Sequence, residues 1–266
     1  MKRVIAEEEP FGKFLFYGLP GSGKTRLAGT AALDDRSWPA LWVDIAGNPM
    51  SIRDYTRQPD IIRIEGLAEC NPIYNWLAQG QDPNHVFAQS MGLGQNGPYK
   101  TVVIDQLTEL QRLSFNLQTG SDNVGPGSFP NRVERQHFGN VLAQMVRFAN
   151  LFYALPMHVI INVQEKMDKD EITGSISVRP FLWGQSDTEV GSYAYVVGRL
   201  VSRSVISGAA LKIMEDVDDN TTSVALFAPS AKYVAKDQYG KLPSYMADPS
   251  MSRILDCIFG SQHPVK

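Results

Sequence analysis

Gly18-Leu19-Pro20-Gly21-Ser22-Gly23-Lys24-Thr25 carries glycine, Gly-Lys and a hydroxyl at every fixed position of the phosphate-binding loop pattern. The apolar run Phe14-Leu15-Phe16-Tyr17 leads into it and reads as a short buried strand. Arg26 to Leu33 follows and reads as a helix. Strand, glycine loop and helix are the context in which the motif has a mechanism. Gly18, Gly21 and Gly23 allow backbone angles closed to other residues, so amide N–H groups can surround phosphate oxygens. The helix N-terminus adds its partial positive charge. Leu19, Pro20, Ser22 and the first helical residue, Arg26, complete the expected nucleotide-binding stretch. Lys24 is expected to reach the β- and γ-phosphates, and the Thr25 hydroxyl to ligate Mg²⁺. The stretch predicts a nucleoside triphosphate site.

The chain has 266 residues, 43% hydrophobic and 20% charged, with a formal net charge of −3. These values describe an ordinary soluble globular composition without a global positive field for nucleic acid. The two cysteines, Cys70 and Cys257, have no metal-ligand spacing and suggest reduced thiols. The first residues run into Glu7-Glu8-Glu9-Pro10 without an apolar core, and no run approaches a membrane span. The expectation is a cytoplasmic protein without a membrane partner.

Outward from the loop, Ala40 to Asp44 reads as a second buried strand and Ile61 to Glu65 as a third. Pro72 to Ala78 reads as a helix, and residues 80–98 as a surface loop with one helical turn. Thr101-Val102-Val103-Ile104-Asp105 has the form of the second phosphate-site strand, whose aspartate holds a water on Mg²⁺. Helices are expected over Thr108 to Leu117 and Val133 to Tyr153. A further strand, His158 to Gln164, precedes an apolar stretch from Gly191 to Val205. Leu211 to Met214 and Ser223 to Phe227 suggest a closing antiparallel part, and Pro249 to Phe259 a final helix. Residues 1–10 form a lead-in, while 118–132 and 165–190 read as mobile loops. The pattern gives one domain over 1–266, with a mostly parallel sheet, helices on both faces and a C-terminal antiparallel extension. Ligands of such sheets sit beyond the carboxyl ends of the strands, where Asp44, Asp105 and Gln164 fall.

The run from about residue 11 to 259 resembles the RecA-like P-loop ATPases. It is most similar to the compact RecA-core ATPases of bacteriophage recombination and single-strand annealing. The phosphate loop, Val102 to Asp105, Ile160 to Gln164 and Ala235 to Pro243 carry the likeness. The resemblance implies a Mg²⁺-ATP hydrolase acting with single-stranded DNA. It further implies a homo-oligomer in which Lys232 or Lys236 acts in trans, and a single-strand-binding protein as partner. It makes Gln164 the γ-phosphate sensor and the 118–132 and 165–190 segments the DNA-facing loops. In that resemblance a catalytic glutamate is expected where this chain has Ala46. Asp44 is the preferred substitute, with Glu65 next and Glu109 weaker. Phe181 and Trp183, with Lys166, Lys169 and Arg179, are either a base-stacking loop or aromatic anchors. Two other readings stand beside the first: a nucleotide-gated loader with little hydrolysis, and a nucleotide or metabolite kinase.

Overall fold

The structure is a computed structural model that describes residues 10–45, 47, 49–120, 133–169, 174–206, 214 and 217–260. Expectations for residues 1–9, Ala46, 121–132 and most of the proposed 211–214 strand lie outside the described residues.

The buried strands form where apolar runs are interrupted by turn residues. β1 (Lys13–Gly18), β2 (Ala40–Asp44) and β4 (Thr101–Asp105) are buried at every position. Burial on both faces is the condition of a parallel sheet covered by helices. β3 (Asp60–Arg63), β5 (His158–Lys169), β6 (Ile176–Pro180) and β7 (Val196–Ser202) follow. β8 (Ser223–Leu226), β9 (Lys236–Asp237) and β10 (Tyr245–Ala247) complete the sheet. The order across it is β10-β8-β7-β1-β5-β4-β2-β3. β5 therefore separates the strand that enters the phosphate loop from the strand that ends on Asp105. The strands from β7 to β3 are parallel, whereas β8 and β10 close one edge antiparallel, as the sequence leads one to expect.

Helices cover both faces. α1 (Lys24–Gly29) continues as a 3₁₀ turn, Thr30–Leu33, and packs with the last helix, α7 (Met251–Phe259), on one face. In α7 Met251, Ile254, Leu255 and Ile258 recur at helical spacing and are buried. The Ser250 side chain caps the start by accepting from the Arg253 N–H. On the other face lie α2 (Cys70–Ala78), α4 (Leu107–Thr119), α5 (Arg135–Tyr153) and α6 (Ser186–Tyr193). α5 buries Val141, Met145, Phe148, Ala149 and Phe152 along one stripe. The helical turn expected within 80–98 is α3 (Val86–Met91).

The 165–190 segment corrects the expectation of a loop. β5 continues past Gln164 to Lys169 and pairs antiparallel with β6, Glu165 with Pro180 and Met167 with Val178; α6 follows. Two cations of these strands are matched by carboxylates, while Lys169 at the end of β5 is exposed. Lys166 and Arg179 both face Asp168 and Asp187. Trp183 packs edge-on to Phe115 at 4.8 Å and lies 5.3 Å from Phe138. Its backbone N–H donates to the Gln111 side chain at 2.8 Å. Trp183 thus anchors the segment to α4 and α5, the second of the two readings above.

Candidate functional site

The loop between β1 and α1 turns with Gly21 at φ 78° and Gly23 at φ 97°, both left-handed. Gly18 is required for space instead: a Cβ there would lie 2.3 Å from the Leu200 carbonyl oxygen. Lys24 opens α1 and is nearly enclosed, at 6% exposure. Its Nζ donates to the Gly18 and Leu19 carbonyls at 2.8 and 2.9 Å, folding back over the loop. Burial pulls the ammonium down to about 8, against the opposing pull of Asp105 and Glu165.

Thr25 projects from the next position of α1. Its Oγ1 donates to Asp105 Oδ2 at 2.9 Å. The other Asp105 oxygen accepts from Asn162 Nδ2 at 3.2 Å, across the register pair that joins β4 to β5. Burial raises the Asp105 pKa, while these hydrogen bonds and Lys24 oppose the shift. Asp105 is thus a buried carboxylate held by neutral donors, with no ion pair to it among the described residues. A cavity of about 560 Å³ opens over it, walled by Gly21, Lys24, Thr25, Arg26, Ser51 and Asp105, among others.

The donor set fits Mg²⁺. That ion takes hard oxygen ligands and commonly binds through one or two protein oxygens together with phosphates and water. Thr25 Oγ1 and Asp105 would hold it, and it would supply positive charge to phosphate oxygens beside Lys24. No cluster of three or more His, Cys, Asp or Glu that could hold a metal occurs among the described residues.

The remaining expected residues divide. Pro20, Gly21, Gly23, Lys24, Thr25, Arg26 and Asp105 all line the cavity; Gly18, Leu19 and Ser22 shape the loop without doing so. Gln164 sits opposite Gly18 in the β1–β5 register, but mid-strand rather than at a strand end. Its backbone N–H donates to Thr108 Oγ1 at 3.0 Å. Asp44 ends β2 directly opposite Asp105, yet its carboxylate pairs with Arg63 at 3.0 Å and accepts from the Gly47 N–H at 2.9 Å. It does not wall the cavity. Glu65 is exposed beyond β3, and Glu109 pairs with Arg112 on α4. Lys236 donates to the Ser192 and Ala194 carbonyls of its own chain at 3.0 and 2.7 Å, whereas Lys232 is exposed.

Sequence reasoning missed several contributors. Asn162 was visible as the one amide inside the apolar run from Val159 to Val163. Thr222 and Ser223 complete the cavity wall, and Asp248 binds both backbone N–H groups at 2.9 and 3.2 Å. The Thr222 hydroxyl accepts from Arg26 Nη1 at 3.0 Å. No local signal marks these residues, because a distant β8–β10 connection brings them to the loop.

No helix among the described residues is long and apolar enough to cross a membrane. No curated protein matches the sequence. Among solved structures, the pCW3 conjugation coupling protein TcpA, in monomer form with ATPγS, is similar at 15% identity and a TM-score of 0.38. That match covers 71% of this chain and 49% of TcpA. A prototypical ATPase from the type III secretion system of pathogenic bacteria matches at 12% identity and a TM-score of 0.41. It covers 77% of this chain and 54% of that ATPase. The chain therefore spans about half the length of these two proteins. Residues 11–239 match the AAA domain, a stretch that includes the phosphate loop, Asp105 and Asn162. With that match over most of its length, the chain belongs to the AAA domain family of nucleotide-binding P-loop ATPases.

Proposed function

We propose that this protein is a Mg²⁺-dependent ATP hydrolase of the RecA-core type whose turnover depends on a partner docked at its site. The carrying observation is the composition of the cavity wall, where Asp105 is the one carboxylate among the described residues. Asp105 would hold the metal, so the group that orients the attacking water comes from elsewhere. Asp44 would have to leave Arg63 to serve. A neighbouring copy or a bound polymer can supply the missing group or release a sequestered one.

In this reading Lys24 leaves the two loop carbonyls and meets the β- and γ-phosphates, so the loop tightens around bound nucleotide. Thr25 and Asp105 would hold Mg²⁺, which would supply positive charge to the phosphate oxygens. Positioning and electrostatic stabilisation account for the acceleration, with no covalent intermediate on the protein. Single-stranded DNA is the proposed polymer, in phage recombination or replication, on the strength of the RecA-like resemblance. Exposed Lys232 is better placed than Lys236 to act on a neighbour's phosphate, because Lys236 is tied to its own chain.

Steady-state ATP hydrolysis with and without single-stranded DNA tests the proposal, with Lys24→Ala as control. Turnover that rises with DNA and vanishes in the control supports it. The Asp44–Arg63 pair favours a second reading, a nucleotide-gated accessory protein with little hydrolysis. Mg²⁺-ATP binding with no turnover, unchanged by DNA, selects that reading over the first.

A further inference from the structure

A second cavity, of about 210 Å³, shares Pro20 and Gly21 with the nucleotide cavity but has different remaining walls. Leu19, Ser22, Leu200 and Ser204 line it, together with an ion pair that the proposed function leaves unused. Glu165 follows Gln164 on β5, and Arg199 lies on β7 opposite Tyr17 of β1. The pair therefore straddles β1 where that strand enters the phosphate loop. Arg199 Nε and Nη2 donate to the two Glu165 oxygens at 3.1 and 3.3 Å. The side chains are 16% and 1% exposed. A forked pair this enclosed is weak as a source of stability, since desolvation offsets most of the attraction. Its connections suggest another role.

Glu165 is the first residue of the β5–β6 hairpin, pairing with Pro180. The Arg199 guanidinium lies 5.7 Å from the centre of the Tyr233 ring. Tyr233 bridges Val178 of β6, and the Tyr17 hydroxyl donates to the Val234 carbonyl at 2.6 Å. One charged node thus touches β1 beneath the loop, the hairpin and the segment leading to β9. Glu165 is also one of the two carboxylates whose fields reach the Lys24 ammonium, with Asp105 the other.

We propose that Glu165 and Arg199 are positioning residues that distinguish a triphosphate from a diphosphate in the loop and pass that difference to the β5–β6 hairpin and residues 233–236. This rests on the nucleotide reading above. A terminal phosphate beside Lys24 brings negative charge towards Glu165, and charges in a poorly solvated site interact strongly. Arg199 is the only cation among the described residues lining the second cavity, so with Lys24 drawn to the phosphate it is left as the counter-charge of Glu165. Any adjustment of Arg199 moves against Tyr233, and any adjustment of Glu165 moves the start of the hairpin. A diphosphate lacks the competing group.

The test compares Mg²⁺-ATPγS with Mg²⁺-ADP in the full chain, by calorimetry and by amide hydrogen exchange. Wild type is expected to show different exchange between the two nucleotides over 165–169, 176–180 and 233–236. Arg199→Met is expected to lose that difference and about tenfold of the ATPγS-over-ADP preference, the size of a typical coupling. ADP affinity should stay unchanged, and Arg199→Lys should restore part of the preference. Glu165→Gln preserves shape and leaves Arg199 in place, so if Arg199→Met fails to fold it should still lose the exchange difference, while the ATPγS-over-ADP preference rises instead of falling because the carboxylate that opposes the terminal phosphate is gone. Survival of both the exchange difference and the preference in these variants overturns the inference. Binding of both nucleotides to wild type without any exchange difference overturns it while leaving the nucleotide reading intact. Failure of wild type to bind either nucleotide removes both.

Discussion

Asp44 and Asp105 end neighbouring parallel strands, stand opposite each other in register and are both buried, at 1% and 4% exposure. Their partners separate them. Asp105 is held by a hydroxyl and an amide, Thr25 and Asn162, and has no cation paired to it among the described residues, while the cavity over it can admit one. Asp44 is answered by the Arg63 guanidinium, itself 60% exposed, and by a backbone N–H. A strand-end carboxylate with neutral donors and an open cavity is poised for a metal. One with its own arginine is closed. The second-strand pattern alone does not distinguish the two, since both strands are apolar and both end in Asp.

The largest effect sharpens the open side. Lys24→Ala should weaken ATP binding by about two-hundredfold, roughly 3 kcal/mol, because it removes a charge-assisted contact to the phosphates. Without nucleotide the melting temperature should not fall, since burial already disfavours this ammonium. Titration calorimetry and a thermal melt check both statements.

Asp105→Asn should come next, removing the Mg²⁺-dependent part of ATP affinity, about 2 kcal/mol. Burial raises this carboxyl in the folded protein. A raised carboxyl contributes stability that is present at low pH and lost as pH rises through its folded value. At neutral pH without Mg²⁺ the asparagine variant should therefore melt no lower than wild type. A lower melt would mean that Asp105 is structurally required in the way assigned here to Asp44.

Asp44→Asn should behave in the opposite way. It should lower unfolding free energy by about 1–2 kcal/mol through the weakened Arg63 and Gly47 contacts, leaving Mg²⁺-ATP affinity unchanged. Denaturant titration reads the first quantity and calorimetry the second. If turnover collapses with affinity and stability intact, Asp44 is the base and the comparison breaks.

The smallest effect is a pH dependence. With Lys24 near 8, ATP affinity should decline above that pH by up to tenfold per unit as the free ammonium deprotonates. Stability of the free protein should move the other way. A depressed lysine contributes stability present above its unfolded value and lost as pH falls through about 8. Lys24→Arg should flatten the binding profile, because guanidinium does not titrate in this range.

The sequence by itself determined the phosphate loop, the strands that flank it and the alternation that makes a parallel sheet. Each of these depends on neighbours within a few residues. The glycines, Lys24 and Thr25 are contiguous, and the apolar runs that form β1, β2 and β4 are uninterrupted. The paired strands 165–169 and 176–180 read as a loop in sequence because their polar residues hide the alternation. Their stability comes from the pairing of β5 with β6, from the Arg179–Asp168 pair between those strands and from the Lys166–Asp187 pair to α6. Only the tertiary structure decided that β5 stands between β1 and β4, and hence that Asn162 steadies Asp105. It also decided that Arg63 takes Asp44 out of the cavity wall, and that Glu165 meets Arg199 beneath the loop. These are encounters between side chains far apart in the chain, set by strand order and register. A carboxylate's role depends on which charge or donor arrives beside it, and no local pattern carries that information.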